Sequence, residues 1–233
     1  MHLEKYKAIL FDLDGTLINY DTAQRYAVKK AIEQLGIPRS PELEQNVLDL
    51  VSGEDVQDIE ACRSGWMPAG SKYMQDIFTD AGVNLPSVLF LNNYFEAMSK
   101  HGEALPGVID LLISLKTNHT IGIVTNGLGP VQRKRLVKAG LMEYLDLLVV
   151  SCEVGYAKPD PAILQLAMRL ADSTPEATLF IGDSIGSDMR AAEAAGVDFV
   201  LIQPDGDFSA KGPRVLELRE TADLKIYLND RNS

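Results

Sequence analysis

The hydrophobic and polar positions of the chain follow different patterns, which divide it into three segments. Residues 8–11 form a short apolar run that ends at acidic residues, and this predicts a buried strand. From about residue 21 to residue 101 the apolar positions recur at helical spacing, with breaks at prolines and no convincing strand. From Pro106 onward, helical and strand patterns alternate. The chain is thus predicted to contain a strand, a long helical segment and an alternating α/β segment.

The alternating segment predicts a parallel sheet, because strands that alternate with helices are joined by crossover connections. Its strands are predicted at 120–124, 145–150, 178–181 and 199–202, and its helices at 108–115, 131–139, 161–171 and 189–195. A further strand over 215–218 and a helix over 222–228 are expected after them. The strand at 8–11 should join the same sheet, because alone it would leave buried backbone groups without hydrogen bonds.

These elements predict an α/β protein with a Rossmann-like three-layer core, a parallel sheet and an inserted all-helical domain. The core would comprise residues 1–16 and 105–233, and the helical domain residues 17–104. Of the 233 residues, 46% are hydrophobic and 24% are charged. This composition favours one sizeable packed core with a smaller companion over a disordered chain.

The formal net charge of −11 narrows the possible partners. A negative field repels polyanions, so neither nucleic acid polymers nor acidic membrane surfaces are expected to bind.

The apolar run at 8–11 is too short for a signal peptide or a membrane span. The two cysteines, Cys62 and Cys152, suggest neither a disulfide framework nor a thiolate metal site. We therefore predict a cytoplasmic protein in a reducing compartment.

Polar residues cluster where the predicted strands end. In an open parallel sheet, ligands bind beyond the carboxyl ends of the strands, so polar residues that follow different strands should meet at one edge. These residues are Asp12, Asp14, Thr125, Asn126, Lys158, Asp183 and Asp188. Asp12 and Asp14 flank a single residue, and Gly15 permits the turn that brings both carboxylates into the same site.

Carboxylates held this close repel one another unless a cation offsets their charge. Mg²⁺ prefers oxygen ligands and is usually held by one or two carboxylates together with substrate phosphate and water. Asp12 and Asp183 are the carboxylates expected to bind it, and Lys158 supplies a further positive charge. The residues thus predict a Mg²⁺ site at this edge of the sheet.

Taken singly, the same motifs also fit structural roles. Asp-Gly and Asn-Gly are ordinary turn sequences, and Asp183 with Ser184 suits the N-cap of the following helix. Gly127-Leu128-Gly129 lacks the third glycine of a dinucleotide loop, because position 132 is glutamine, and no P-loop motif occurs. The case for chemistry therefore depends on all the motifs together.

Together and in this order, the motifs resemble those of the haloacid dehalogenase-like (HAD) hydrolase superfamily. They are Asp12-Leu13-Asp14-Gly15-Thr16, Thr125 in Val124-Thr125-Asn126-Gly127, Lys158 in Lys158-Pro159-Asp160-Pro161, and Gly182-Asp183 followed by Asp188. The resemblance spans essentially the whole chain, and each motif falls in the expected strand context.

The resemblance implies a role for each motif residue. Asp12 would be the nucleophile that forms an aspartyl-phosphate, and Asp14 would be the general acid and base. Thr125 and the backbone N–H of Asn126 would hold phosphoryl oxygens. Lys158 would neutralise charge on the nucleophile and the phosphate.

The resemblance also implies the ligands of Mg²⁺. These are the carboxylates of Asp12 and Asp183 and the backbone carbonyl of Asp14. Asp188 would either lie just behind these ligands or serve as the partner of Lys158.

Asp14 favours a phosphatase among the reactions of the superfamily. By resemblance, dehalogenases lack an acid at this position, phosphonatases also depart there, and a mutase is left open. We predict a Mg²⁺-dependent phosphomonoesterase acting on a small phosphorylated metabolite, first a nucleoside 5′-monophosphate, because the motifs are similar to those of bacterial 5′-nucleotidase-type members. The alternatives are a phosphosugar or other HAD phosphatase, a 2-haloacid dehalogenase, and a non-catalytic protein that binds a phosphorylated metabolite.

The helical insert is expected to act as a lid whose inner face sets specificity. Tyr20 and Arg25, just past the first motif, and Arg63 and Trp66, in a predicted loop of the insert, are the candidate specificity residues. An aromatic ring beside an arginine suits stacking on a base or sugar, although a loop tryptophan more often anchors its own helices.

Overall fold

Six parallel strands form the centre of the protein. The structure is a computed structural model that describes residues 2–52, 67–206 and 214–228. Its strands are β1 (Ala8–Phe11), β2 (Thr120–Thr125), β3 (Leu147–Val150), β4 (Thr178–Gly182), β5 (Asp198–Ile202) and β6 (Val215–Leu218). They lie in the order β3-β2-β1-β4-β5-β6, and every neighbouring pair is parallel. The predicted α/β class and the place of residues 8–11 in the sheet are confirmed.

Helices connect the strands. They are α1 (Tyr20–Gln34), α2 (Pro41–Ser52), α3 (Met67–Asp80), α4 (Ser87–Ser99), α5 (Val108–Lys116), α6 (Gly129–Lys138), α7 (Ser151–Val154), α8 (Ala162–Leu170) and α9 (Arg190–Ala195). Short 3₁₀ helices cover Leu3–Lys5, Met142–Tyr144, Pro175–Ala177 and Thr221–Leu228, and a π-helical turn covers Ile185–Met189. In the alternating segment, the predicted ends of helices and strands differ from the observed ones by at most two residues.

Helices cover both faces of the sheet. On β1, Ile9 and Phe11 pack into a hydrophobic cluster with α5 and the C-terminal 3₁₀ helix, whereas Leu10 packs into a second cluster with α8 and α9. Successive side chains of a strand point to opposite faces, so the two clusters lie on opposite sides of the sheet. Strands buried on both faces are apolar throughout, which explains the continuous apolar runs in the sequence.

Helices α1 to α4 lie between β1 and β2 in the chain and have a hydrophobic core of their own. Val47, Phe78 and Phe90 are fully buried in it, and the two phenylalanine rings meet edge to face at 5.3 Å. Leu128 and Val131, where α6 begins, pack against the same core. The helical insert is therefore in direct contact with a helix that flanks the sheet.

Two backbone hydrogen bonds join the ends of the helical insert. The N–H of Asn19 donates to the carbonyl of Glu103 at 2.9 Å, and the N–H of Leu105 donates to the carbonyl of Leu17 at 2.9 Å. We call these paired segments, residues 17–19 and 103–105, the junction. The Asn19 side chain also caps α1 by accepting from the N–H of Thr22 at 3.1 Å. The junction thus fixes where the first insert helix starts.

The strand order creates a crevice at the end of β1. From β1 the chain moves to one side for β2 and β3, and then crosses to the other side for β4 to β6. Such a reversal leaves a crevice at the carboxyl ends of the strands, where ligands bind. Phe11 is level with Ile123 of β2 and Ile181 of β4. Asp12 therefore leaves β1 between the ends of both neighbours.

Two further findings bear on the predictions from composition. Within the described residues, none of the helices combines the length and hydropathy needed to cross a membrane. Cys152, in α7, is disulfide-bonded. This pairing corrects the expectation that the two cysteines form no disulfide, which was drawn from their spacing; spacing along the chain carries no information on contacts between distant segments.

Candidate active site

A buried lysine lies between two buried carboxylates at the end of β1. Lys158 Nζ donates a hydrogen bond to Asp12 Oδ1 and lies 2.7 Å from Asp188 Oδ1. All three side chains are almost fully buried. Attraction at this distance offsets the cost of removing the charges from water, and Lys158 has two carboxylate partners to provide it. The structure thus brings the first, third and fourth motifs together.

The segment after β4 positions Asp188 by local hydrogen bonds. The N–H of Ser184 donates to Asp188 Oδ2 at 3.1 Å, and Ser184 Oγ accepts from the N–H of Ser187 at 3.1 Å. A Cβ at Gly182 would lie 2.4 Å from Asp188 Oδ2, so the glycine leaves the space that this carboxylate occupies. Ser184, rather than Asp183, therefore provides the N-terminal cap, and Asp183 is left to the site.

Asp183 completes a cluster of three carboxylates. One oxygen each from Asp12, Asp183 and Asp188 lie within 4.8 Å of one another. Gly15, from the turn after β1, has a φ of +76°, and a Cβ there would lie 2.1 Å from Asp183 Oδ2. Both the left-handed backbone and the close approach require glycine at this position.

Burial and mutual repulsion disfavour negative charge in this cluster. Burial raises the pKa of Asp12 well above its usual range; Lys158 opposes this shift, and Asp188 and Asp183 add to it. Burial, together with the charge of Asp188, raises the pKa of Asp183 to about 7. Burial lowers the pKa of Lys158, but the carboxylates of Asp12 and Asp188 outweigh it, so the net shift is upward and the lysine stays charged.

The donor set of the cluster fits a divalent cation. With all groups ionised, Asp12, Asp183 and Asp188 outnumber Lys158, so the cluster carries two uncompensated negative charges. All the available donors are oxygens, which Mg²⁺ prefers. A cation bound here would also favour the ionised forms of carboxylates whose pKa values are now raised.

Replacing Gly15 by alanine is expected to displace Asp183 and weaken Mg²⁺ binding. The matched control is Gly140→Ala, because Gly140 has a similar φ of +71° but nothing within 4 Å of an added Cβ. The left-handed backbone should cost each variant about 1–2 kcal/mol of folding free energy, measured by urea unfolding, and the clash with Asp183 should add to this cost in Gly15→Ala. Only Gly15→Ala should raise the Mg²⁺ dissociation constant, by about 10–100-fold in calorimetric titration. Equal Mg²⁺ affinity in the two variants would contradict the assignment of Asp183 as a ligand.

The loops after β2 and before α8 are tied together by one side chain. Asn126 Nδ2 donates to the carbonyl of Lys158 at 2.9 Å, and the N–H of Lys158 donates to Asn126 Oδ1 at 2.9 Å. Thr125 is buried, and its Oγ1 accepts from Gln132 Nε2 at 3.0 Å. The side chain of Asn126 therefore positions Lys158. The predicted contact with phosphate uses the backbone N–H of Asn126, so it can form while the side chain stays bonded to Lys158.

Asp14 is held by two residues of α6 that the motifs do not include. Arg135 Nη1 lies 2.6 Å from Asp14 Oδ1, and Gln132 Nε2 donates to Asp14 Oδ2 at 2.9 Å. Gln132 Nε2 also lies 3.2 Å from the carbonyl of Asn126. The sequence carried a signal for this arrangement, since residues three apart share one face of a helix that begins just after Thr125. From the sequence alone, Gln132 was significant only because it replaces the third glycine of a dinucleotide-binding loop.

A cavity of about 320 Å³ lies between the strand ends and α1. Its lining residues are Asp12, Asp14, Tyr20, Asp21, Gln24, Thr125, Asn126, Lys158, Asp183, Ser184 and Ser187. Tyr20 thus lines the cavity. Arg25 does not line this cavity; its half-exposed side chain donates at 3.0 Å to the carboxylate of Asp21, which does line it. Arg63 and Trp66 lie outside the described residues.

The fold and the cavity define a Rossmann-like α/β protein with an acidic, lysine-containing site at the point where its strand order reverses. The sequence pattern of the haloacid dehalogenase-like hydrolase family matches residues 9–202. The chain belongs to this family.

The relatives of the chain include a HAD-hydrolase and two pyrimidine 5′-nucleotidases. The HAD-hydrolase YfnB of Bacillus subtilis is 25% identical over 99% of each chain. Its magnesium-bound crystal structure has a TM-score of 0.81 and covers 96% of this chain and 99% of that one. The pyrimidine 5′-nucleotidase YjjG of Escherichia coli is 30% identical over 83% of this chain and 84% of its own. The pyrimidine 5′-nucleotidase PynA of Streptococcus pneumoniae is 26% identical over 85% and 84%, respectively.

Proposed function

We propose that this protein is a Mg²⁺-dependent phosphomonoesterase that hydrolyses a small phosphorylated metabolite through an aspartyl-phosphate intermediate. The observation behind the proposal is the position of Asp12, which lines the cavity and contacts Lys158, with Asp14 on the wall of the same cavity. A carboxylate beside a cation, with a second carboxylate within reach of the substrate, is the arrangement that covalent phosphoryl transfer needs.

The two carboxylates divide the proposed reaction between them. In the first half, a carboxylate oxygen of Asp12 attacks phosphorus, the bond to the leaving oxygen breaks, and protonated Asp14 gives its proton to that oxygen. In the second half, Asp14 accepts a proton from a water molecule that attacks the same phosphorus. The bond from phosphorus to Asp12 then breaks, so inorganic phosphate leaves and both carboxylates return to their starting state.

Positive charge and hydrogen-bond donors stabilise the phosphoryl group in this proposal. Lys158 neutralises charge on Asp12 and on the phosphoryl oxygens, and Thr125 with the N–H of Asn126 donates to those oxygens. When held by Asp12, Asp183 and the backbone carbonyl of Asp14, Mg²⁺ supplies the remaining positive charge. Asp188, whose Oδ1 lies 2.7 Å from Lys158 Nζ, holds the lysine in place.

The helical insert, residues 17–104, is proposed to form a cap domain over the cavity. Two features support this: α1 contributes Tyr20, Asp21 and Gln24 to the cavity wall, and both chain connections pass through the junction. The crystal structure of YfnB is described as revealing interdomain movement. A similar movement here would admit substrate when open and exclude water from the first step when closed.

A nucleoside 5′-monophosphate is the proposed substrate. Two of the relatives, YjjG and PynA, are named pyrimidine 5′-nucleotidases. Asp14 also lines a second, smaller cavity whose walls include Tyr20, Tyr94, Phe95 and Met98. Aromatic and thioether side chains in the same cavity as the proposed general acid suit contact with a planar base.

Mg²⁺ and substrate class can be tested in one assay. Phosphate release is measured from pyrimidine and purine nucleoside monophosphates, sugar phosphates and p-nitrophenyl phosphate, with Mg²⁺ and with EDTA. We expect release from nucleoside monophosphates to be fastest, to stop in EDTA and to return when Mg²⁺ is added in excess, because the carboxylate cluster lacks positive charge without the cation.

Each alternative gives a different result in this assay. Faster release from sugar phosphates would keep the reaction and correct the substrate. Undiminished release in EDTA would remove the metal from the mechanism. If no phosphate ester is hydrolysed, the phosphatase proposal is wrong; halide release from 2-haloacids then tests a dehalogenase, and equilibrium binding of the same phosphate esters tests a non-catalytic binding protein.

A further inference from the structure

The carboxylate of Asp14 is held on both of its oxygens by α6. Arg135 Nη1 lies 2.6 Å from Oδ1, and Gln132 Nε2 donates to Oδ2 at 2.9 Å. Arg135 Nη1 also donates to Gln132 Oε1 at 3.0 Å, so the three side chains form a closed ring of contacts. A carboxylate bound in this way cannot rotate about its side-chain bonds without breaking at least one of the contacts.

Arg135 is held in turn by the helical insert. Its side chain is 1% exposed, and its Nε donates to the carbonyl of His101, just after α4, at 3.3 Å. The guanidinium carbon lies 5.7 Å from the ring centroid of Tyr20, at the start of α1. Gly102 approaches so closely that a Cβ there would lie 2.2 Å from the Arg135 carbonyl oxygen. His101 and Tyr20 therefore hold the guanidinium, and Gly102 packs against the Arg135 backbone.

We propose that Arg135 is a positioning residue that orients the general acid Asp14 and links its orientation to the placement of the insert helices. This inference rests on the phosphatase function proposed above. Arg135 lies in none of the four motifs and does not line the cavity that holds Asp12, Lys158 and Asp183, so it acts on the reaction through Asp14 rather than on the phosphate. It also lines the smaller cavity beside Asp14, and the Asp14→Asn background described below separates a contact with the base there from an effect on Asp14. Its planar, always charged group holds a carboxylate in one direction better than a flexible ammonium does.

A positioning role of this kind predicts a dependence on the leaving group. A nucleoside 5′-oxygen leaves as a strongly basic alkoxide and needs the proton of Asp14, whereas p-nitrophenolate leaves readily without one. Misplacing Asp14 should therefore slow the first step for the nucleoside monophosphate and leave the aryl phosphate much less affected. General damage to the fold or to phosphate binding would slow both substrates alike.

The test compares leaving-group release from the two substrates in single turnovers with enzyme in excess, which isolates the first step from hydrolysis of the intermediate. The variants are Arg135→Met and the conservative Arg135→Lys. The matched control is Arg133→Met, because Arg133 lies on the same helix but pairs at the surface with Glu153. Thermal unfolding of each variant identifies any that fail to fold, in which case Arg135→Lys carries the comparison.

For Arg135→Met we expect the rate on the nucleoside monophosphate to fall about 10- to 100-fold more than the rate on p-nitrophenyl phosphate, within the usual contribution of general acid catalysis. Arg135→Lys should be intermediate, and Arg133→Met should leave the ratio of the two rates unchanged. In an Asp14→Asn background, Arg135→Met should not change the ratio further, because the group that it positions is gone.

An equal loss on both substrates, or the same change of ratio with and without Asp14, would overturn the role of Arg135. If the wild-type protein releases phosphate from either substrate, the proposed phosphatase function stands, and such a result refutes only the positioning role of Arg135. Wild-type protein that is inactive on every phosphate ester would instead overturn the proposed function, and the inference with it.

Discussion

Replacement of Asp12 by asparagine is expected to lower phosphate release by about 10⁴-fold or more while leaving the protein folded, as removal of a catalytic nucleophile does elsewhere. Asparagine has nearly the same shape but cannot attack phosphorus as an anion. The fold should tolerate it, because Lys158 keeps its second partner, Asp188, at 2.7 Å. The measurements are the steady-state rate on the best substrate of the panel and the midpoint of thermal unfolding.

The matched control for this variant is Asp172→Asn. Asp172 is an exposed aspartate that pairs with Lys7 on the surface, so the same chemical change there should leave the rate unaltered. Mass spectrometry of acid-quenched wild-type protein should show a phosphoryl adduct on the peptide that contains Asp12, and the adduct should be absent from Asp12→Asn. Retention of substantial turnover by Asp12→Asn would place the nucleophile elsewhere.

Replacement of Asp14 by asparagine is expected to lower turnover of a nucleoside monophosphate by about 10²- to 10⁴-fold. Asparagine can still bond to Gln132 but neither donates the proton that the leaving oxygen needs nor accepts one from the attacking water. With p-nitrophenyl phosphate, whose leaving group needs no proton, the first step should survive and the second should not. Rapid-quench measurement should therefore show one equivalent of p-nitrophenol per enzyme, followed by a stalled phosphoenzyme.

Wild-type protein provides the comparison, since continued turnover after the first equivalent shows that hydrolysis of the intermediate is intact. A variant with full activity on nucleoside monophosphates would show that the acid and base lie elsewhere. A variant with no p-nitrophenol burst would show that Asp14 is needed for a different reason, such as the placement of Asp12 or of the cation.

The elements of the core were predictable because each depends on local spacing. The run at residues 8–11, and the alternation of helical and strand patterns from Pro106 onward, are consequences of which side chains must be buried on each element. The four motifs were predictable for the same reason, since residues that follow buried strands of one parallel sheet must emerge at the same edge. The convergence of Asp12, Lys158, Asp183 and Asp188 needed no further information.

Residues of the site that lie on helices were harder to assign. Tyr20 and Arg25 both follow the first motif closely, yet only Tyr20 lines the cavity, while Arg25 is turned to the surface and bonded to Asp21. Five positions on a helix correspond to more than one turn, so neighbouring candidates point in different directions, and the rotation of α1 about its axis is set by its packing in the insert. That rotation is a tertiary property.

The sequence by itself determined the succession of strands and helices along the chain and the motif residues at the strand ends, because these depend on periodicity and on short-range spacing. The resemblance of those motifs determined the family. Only the tertiary structure decided that α6 holds Asp14 through Gln132 and Arg135, that Gly15 makes room for Asp183, and that the insert fixes Arg135. These contacts join segments far apart in the chain, and their distances follow from how helices pack against the sheet and the insert, which no local pattern specifies.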